Sequence, residues 1–143
     1  MSQRETSVPR TVGDVMQEDV VTIDVAAGLD VADRLMRADR IRHLPVVDRG
    51  RLVGLLTQRD LFRAGAGASL ATPGAGRAPG VTVRDLMATE VFTTMPGSTL
   101  ESAVEMMLLK DVGCLPVLAA DELVGLLTQT DCLRYLADLL RTP

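Results

Sequence analysis

The sequence is poor in aromatic residues, in histidine and in cysteine. It has no tryptophan, and Phe62, Phe92 and Tyr135 are its only aromatic residues, so aliphatic side chains and methionine must build the core. The chain also has one histidine, His43, and two cysteines. A usual zinc site takes four ligands, often from such residues, and no carboxylate cluster flanks His43. The composition therefore argues against a zinc site.

Positive charge and long apolar runs are also lacking. The net charge is −4, which argues against nucleic acid and membrane surfaces as partners because both favour a basic face. No apolar run approaches the roughly 20 residues of a membrane-spanning helix. The first ten residues lack the apolar stretch of a secretory signal. We therefore expect a cytoplasmic protein that has no membrane partner.

The 143-residue chain contains an internal duplication. Residues 11–63 align without a gap with residues 82–134, and 21 of the 53 aligned positions are identical. The best-matched stretches, residues 52–60 and 123–131, differ at one position. One copy alone is about the size at which a hydrophobic core is marginal. We therefore expect the two copies to pack together around one shared core.

Each copy predicts the same order of elements. A short helical turn, at residues 11–16 in the first copy, precedes a strand rich in β-branched residues, predicted at residues 20–23 and 91–94. A helix follows, because apolar residues recur with helical spacing from Leu29 and from Leu100.

The second half of each copy predicts a β-hairpin and a helix. Residues 44–57 and 115–128 have the pattern strand, tight turn, strand, and Arg49-Gly50 suits the first turn. A helix begins after Thr57 and after Thr128. The fold class is therefore predicted as α/β (α+β), with two tandem β-α-β-β-α repeats packed with pseudo-twofold symmetry. The predicted boundaries are a flexible tail at 1–10, repeat one at 11–63, a Gly/Ala/Pro-rich linker at 64–80 and repeat two with the C-terminal helix at 81–141.

The residues that could bind a ligand lie at the start of the last helix in each copy. Thr57 and Asp60 in repeat one, like Thr128 and Asp131 in repeat two, have the spacing of a capping box, a structural role that needs no ligand. The same residues also suit a nucleotide. A helix N-terminus can hold a phosphate, and an ionised aspartate accepts hydrogen bonds from both hydroxyls of a ribose. Arg59 would then face the phosphate.

The repeated sequence motif resembles that of cystathionine-β-synthase (CBS) domains. A tandem pair of these domains is called a Bateman module. The motif stands as Gly54-Leu55-Leu56-Thr57-Gln58-Arg59-Asp60 and as Gly125-Leu126-Leu127-Thr128-Gln129-Thr130-Asp131. The upstream elements His43-Leu44-Pro45 and Cys114-Leu115-Pro116 are a second hallmark of the family. The resemblance covers both repeats.

The resemblance implies a regulatory module that binds AMP, ADP, ATP or S-adenosylmethionine in clefts between the repeats. Asp60 and Asp131 would hold ribose hydroxyls, and Thr57 and Thr128 would contact phosphate. Base pockets would be lined in repeat one by Thr22, Ile23, Asp24, His43, Leu44 and Pro45, and in repeat two by Thr93, Thr94, Met95, Cys114, Leu115 and Pro116. The resemblance also implies a homodimer. No catalytic cofactor is expected, and the module would either signal to a separate effector protein or act by sequestering its ligand.

The two copies differ where a phosphate would bind. Thr130 replaces Arg59, Gly113 replaces Arg42 and Cys114 replaces His43. Repeat one carries eight arginines against nine acidic residues, whereas repeat two carries three basic residues against eight acidic ones. We predict that the Asp60 site prefers phosphorylated ligands and that the Asp131 site is weaker or takes a less anionic ligand.

Two alternatives to a sensor stay open. A structural dimerisation module with empty clefts fits the same pattern. An enzyme fits it less well, because the sequence contains no metal-ligand spacing, nucleophile elbow or Walker loop. His43 and Cys114 occupy equivalent positions in the two copies and could pair, but core packing or pocket lining explains them more simply.

Overall fold

The computed structural model describes residues 10–65 and 80–141 as a mixed α+β chain, which confirms the predicted fold class. The helices of the described residues are α1 (Val12–Val15), α2 (Leu29–Asp39), α3 (Gln58–Gly65), α4 (Val83–Leu86), α5 (Leu100–Lys110) and α6 (Gln129–Arg141). The strands are β1 (Ile23–Asp24), β2 (His43–Asp48), β3 (Arg51–Thr57), β4 (Cys114–Ala119) and β5 (Glu122–Thr128). No helix in these two ranges is long and apolar enough to cross a membrane.

The chain divides into two compact units, and the units do not coincide with the two sequence copies. Of the described residues, the first unit contains 10–20 and 92–141, and the second contains 21–65 and 80–91. We call them the Asp131 unit and the Asp60 unit after the motif aspartate that each contains. Each unit therefore takes its opening helix from the other sequence copy: α1 belongs to the Asp131 unit, and α4 belongs to the Asp60 unit.

The Asp60 unit is built on a three-stranded sheet of order β1-β2-β3, in which β1 is parallel to β2 and β2 is antiparallel to β3. The β2–β3 turn has positive φ at Arg49 (54°) and Gly50 (82°), as expected for the tight turn predicted there. α4 packs against this unit through Val83, which is fully buried and whose N–H donates to the carbonyl of Ala27 at 2.9 Å.

The Asp131 unit is built on the β4–β5 hairpin, with α1, α5 and α6 around it. Val12 of α1 is fully buried, and its N–H donates to the carbonyl of Ser98 at 2.8 Å. The hairpin turn has positive φ at Ala120 (51°) and Asp121 (67°) although neither residue is glycine. Val12 is part of this unit's core, and Val83 is part of the other unit's core. The buried residues of the described ranges thus form one cluster in each unit, whereas the sequence predicted a single shared core.

The first strand of each copy is shorter than predicted. The strand predicted at residues 20–23 is Ile23–Asp24, and residues 91–94 form a single bridge from Thr94 to Val117 instead of a strand. Proline chemistry explains the second difference. Val25 donates its N–H to the carbonyl of Val47 at 2.9 Å, whereas the aligned residue, Pro96, has no N–H to donate.

Most of the residues predicted as tail and linker lie outside the described ranges. Residues 64 and 65 of the predicted linker are the last residues of α3.

Candidate functional site

Asp60 lies in the first turn of α3 and is held there by Thr57. The backbone N–H and the hydroxyl of Thr57 both donate to Asp60 Oδ2 at 2.9 Å. The Asp60 N–H in turn donates to the Thr57 hydroxyl at 3.2 Å. This reciprocal arrangement is the predicted capping box, and it fixes the carboxylate at the point where β3 becomes α3.

Only one oxygen of the Asp60 carboxylate is used by this capping box. Within the described part of the chain, Asp60 Oδ1 has no hydrogen-bond or ion-pair partner. Asp60 is partly exposed, and Arg59 beside it is exposed. The carboxylate is therefore oriented by Thr57 and still has an acceptor available for a ligand.

Asp131 has the same local geometry but is more enclosed. The Thr128 N–H and hydroxyl donate to Asp131 Oδ2 at 2.9 and 2.8 Å. In addition, the side-chain amide of Gln17 donates to both carboxylate oxygens, at 3.0 Å to Oδ1 and 3.1 Å to Oδ2. Arg134 lies 3.8 Å from Oδ1, and Asp131 is 5% exposed. Both oxygens of Asp131 are thus occupied by groups of the chain itself.

Gln17 reaches Asp131 because its segment pairs with β5. Gln17 and Leu126 exchange two backbone hydrogen bonds of 2.9 Å. In the Asp60 unit the aligned residue is Ala88, which makes the same two bonds with Leu55, at 2.9 and 3.0 Å. Alanine has no side-chain donor, and this difference explains why Asp60 Oδ1 has no partner among the described residues.

The motif glycines are explained by the same packing. A Cβ at Gly54 would lie 2.9 Å from the carbonyl oxygen of Ala88, and one at Gly125 would lie 2.9 Å from that of Gln17. Met87 and Met16 would also be in contact with these Cβ atoms. Glycine at the first motif position therefore lets the exchanged segment approach the strand closely, a packing role that requires no ligand.

The residues predicted to line the base pocket of the Asp60 unit divide into buried and exposed groups. Ile23, Leu44 and Pro45 are buried, whereas Thr22 and Asp24 are exposed and His43 is partly exposed. Arg42, predicted as a phosphate partner, is also exposed. His43 pairs with Thr57 across β2 and β3, and the Gln58 N–H donates to the carbonyl of Arg42 at 2.9 Å. The structure therefore brings Arg42 and His43 next to the Thr57–Asp60 turn.

The corresponding residues of the Asp131 unit are more enclosed. Cys114, Leu115 and Pro116 are buried, Thr93 is partly exposed and Met95 is 61% exposed. Thr94 is 8% exposed, and its hydroxyl has no hydrogen-bond partner in residues 10–65 or 80–141. The aligned residue in the other unit, Ile23, is apolar.

The residues that differ between the copies have different titration behaviour. Burial lowers the pKa of the His43 imidazole below its usual value, and the charge of Arg42 lowers it further. Burial, reinforced by the negative charge of Asp131, raises the pKa of the Cys114 thiol to about 12. A thiol with so high a pKa is a poor nucleophile and metal ligand near neutral pH, because both roles need the thiolate. No group of three or more His, Cys, Asp or Glu side chains in the described ranges could hold a metal ion.

A separate depression of about 290 Å³ lies in the Asp131 unit. Its lining is drawn from the start of the unit and from α6: Arg10, Asp14, Val15, Tyr135, Asp138 and Leu139. The guanidinium of Arg10 lies 5.9 Å from the centre of the Tyr135 ring. None of the residues that the sequence predicted as ligand-binding lines it.

Comparison of the sequence with models of known families gives two matches to the model described as CBS domain, at residues 12–67 and 83–138. The CBS domain-containing protein YhcV of Bacillus subtilis is 31% identical over 121 residues, which cover 85% of this chain and 81% of that protein. A homoserine O-acetyltransferase of Methanohalobium evestigatum is 33% identical over 129 residues. The chain spans 24% of the length of that enzyme.

Solved structures with the same fold include a Vibrio cholerae protein assigned as the acetoin utilization protein AcuB. It is 33% identical, superposes with a TM-score of 0.78, and the match covers 94% of this chain and 95% of that chain. The protein CBSX2, solved in complex with AMP, is 26% identical with a TM-score of 0.76, and the match covers 92% of this chain and 98% of that one.

Proposed function

This chain belongs to the CBS domain family and contains two copies of that domain. On this basis, we propose that it is a regulatory module for adenosine-containing ligands. The ligand class comprises AMP, ADP, ATP and S-adenosylmethionine. Binding would stabilise one arrangement of the chain, which a separate effector protein would recognise.

The observation that carries this proposal is the carboxylate of Asp60. Thr57 fixes its position through Oδ2, and Oδ1 remains free of partners in the described chain. An ionised carboxylate is an acceptor only, so it suits the paired hydroxyls of a ribose and repels a phosphate. The complex of CBSX2 with AMP supports an adenine nucleotide as the ligand class.

The cationic groups near Asp60 extend the proposal to the phosphate. Arg59 and Arg42 are exposed and lie beside the start of α3, an eight-residue helix whose N-terminal dipole favours an anion. The hydroxyl proton of Thr57 is already donated to Asp60 Oδ2, so a phosphate contact by Thr57 would have to replace that bond. The Asp131 unit has Thr130 and Gly113 at the aligned positions, and we therefore assign the stronger phosphate preference to Asp60.

Thermal unfolding and titration calorimetry test the proposal directly. The protein is titrated with adenosine, AMP, ADP, ATP and S-adenosylmethionine. A ligand at 100 times its Kd stabilises the folded state by about 2.7 kcal/mol, which raises the melting temperature. Asp60→Asn should weaken AMP binding, whereas Asp39→Asn, which changes an exposed carboxylate at the end of α2, should leave it unchanged.

A flat response to all five ligands would support the alternative of a structural dimerisation module. The apolar face of α6 favours dimerisation in either case, since Leu133, Leu136 and Leu140 are 64%, 47% and 77% exposed and lie on one helical stripe. We propose that this face contacts a second copy of the chain. Sedimentation should then give a dimer for the wild type and a monomer for Leu136→Asp.

A further inference from the structure

The two motif aspartates differ in what occupies them, although their local sequences are nearly identical. Asp60 has one carboxylate oxygen with no hydrogen-bond or ion-pair partner among the described residues, whereas both oxygens of Asp131 accept hydrogen bonds from the Gln17 amide. The replacement of Arg59 by Thr130 affects the part of the site that would bind phosphate. The Gln17 contact instead affects the part that would bind the ribose.

The Gln17 amide presents two N–H groups, and the carboxylate is the group that a ribose diol would contact with two O–H groups. Because Gln17 donates to both oxygens, a diol that approaches the same edge of the carboxylate has to displace the amide. The guanidinium of Arg134 adds an ion pair at 3.8 Å from Asp131 Oδ1. Side chains of the protein itself, Gln17 and Arg134, therefore occupy the Asp131 carboxylate.

The contact can open without unfolding of the unit. Gln17 is an exposed residue, and its backbone is held independently by the two hydrogen bonds to Leu126. Rotation of its side chain would release the carboxylate and leave that pairing intact. Ala88 shows that the same backbone pairing forms around a residue that has no amide.

We propose that Gln17 is an intramolecular competitor for the ribose hydroxyls at Asp131, so that the Asp131 site binds an adenosine ligand only when Gln17 is displaced. The Asp60 site, with Ala88 in the aligned position, is open and fills first. This inference rests on the proposed function and adds to it an order of binding. The residue that sets this order lies in sequence in the copy that contains Asp60.

Single-site variants of the full chain test the competition. Asp60→Asn leaves the Asp131 site, and adenosine, which has no phosphate, is titrated into it by calorimetry. Adding Gln17→Ala should tighten adenosine binding by about tenfold or more, since a hydrogen bond to a charged group stabilises by about 1.5–3 kcal/mol and each 1.4 kcal/mol is tenfold in Kd. Glu18→Ala, at the exposed neighbouring position, is the control and should leave the Kd unchanged.

The reciprocal exchange tests the other site. Asp131→Asn leaves the Asp60 site, and Ala88→Gln should weaken adenosine binding there, because the exposed position 88 aligns with Gln17. Circular dichroism establishes that each variant is folded. If Gln17→Ala does not fold, Gln17→Met, which keeps the length of the side chain and removes the donor, provides the same comparison.

The outcomes separate this inference from the proposed function. If the wild type binds adenosine but neither Gln17→Ala nor Gln17→Met changes the affinity of the Asp60→Asn protein, competition by Gln17 is refuted while ligand binding stands. Competition by Gln17 is also refuted, and ligand binding still stands, if the wild type binds adenosine but no variant in the Asp60→Asn background does. If neither the wild type nor Asp131→Asn binds any adenosine ligand, the proposed function fails, and the inference fails with it.

Discussion

The same atoms of Thr57 and Asp60 serve the helix and the proposed ligand. Thr57 satisfies Asp60 Oδ2 and receives the Asp60 N–H, so the carboxylate is oriented before any ligand arrives. Preorganisation of this kind lowers the entropy cost of binding. The sequence predicted this turn correctly because a capping box is encoded within four residues.

His43 gives a prediction at the scale of one residue. Burial, with the charge of Arg42, lowers the pKa of the His43 imidazole below its usual value of 6.5. Above pH 6.5 the imidazole is neutral in both the folded and unfolded states, and its contribution to stability is fully present. As the pH falls from 6.5 through the folded-state pKa, the unfolded state binds more protons and the free energy of unfolding decreases.

Two measurements check this expectation. Because His43 is the only histidine, an NMR titration of its ring protons gives the folded-state pKa directly. Urea unfolding between pH 7.5 and 5 should show a decline in stability that is smaller in His43→Gln. A folded-state pKa at or above 6.5 would contradict the prediction.

At the scale of secondary-structure elements, the hairpins were predicted well and the first strands poorly. The alternation and turn signals of β2–β3 and β4–β5 lie within one stretch of sequence. β1 depends on a partner more than 20 residues away, and its counterpart depends on whether residue 96 has an N–H. β-branched residues at 91–94 therefore predicted a strand that the structure reduces to the Thr94–Val117 bridge.

The close approach at the motif glycines gives a prediction for β3 and β5. Gly54→Ala and Gly125→Ala should each lower the free energy of unfolding by about 1–3 kcal/mol, because the new Cβ collides with the carbonyl oxygen of Ala88 or Gln17. Urea unfolding measures the change. Gly97→Ala is the matched control, since nothing lies within 4 Å of its Cβ position and its φ is not positive.

Equal stabilities of Gly97→Ala and the two motif variants would show that the exchanged segments do not pack closely on β3 and β5. In that case the glycines would be retained for another reason, such as ligand approach.

At the scale of the whole molecule, the main feature is the exchange of the opening helices. α1 opens the sequence copy that contains Asp60 but packs in the Asp131 unit, whereas α4 opens the copy that contains Asp131 but packs in the Asp60 unit. The boundaries of the two sequence repeats therefore do not coincide with the boundaries of the two structural units. Gln17 could be found by comparing the copies, where it aligns with Ala88, but its contact with Asp131 depends on this exchange.

A crossed pair of cavity variants tests the exchange. Val12 and Val83 are both fully buried, in the Asp131 and Asp60 units respectively. Val12→Ala should accelerate hydrogen exchange chiefly in residues 92–141, and Val83→Ala chiefly in residues 21–65. Each should cost about 2 kcal/mol, from two buried methyl groups and the cavity that remains.

The two variants serve as controls for each other. Faster exchange in residues 21–65 in Val12→Ala, with residues 92–141 unchanged, would mean that α1 packs within its own sequence copy.

The sequence by itself determined the duplication, the hairpins, the capped helix starts and the chemistry of Thr57, Asp60, Thr128 and Asp131. These features are local, because helix and strand periodicity and capping act within a few residues. The tertiary structure alone decided which copy receives each opening segment. Thr11-Val12 and Thr82-Val83 are identical, and so are the strands Leu52–Thr57 and Leu123–Thr128 that the two segments contact. Local complementarity cannot distinguish the exchanged pairing from the direct one. Only the packed chain places Gln17 on Asp131 and leaves Asp60 Oδ1 without a partner in residues 10–65 and 80–141.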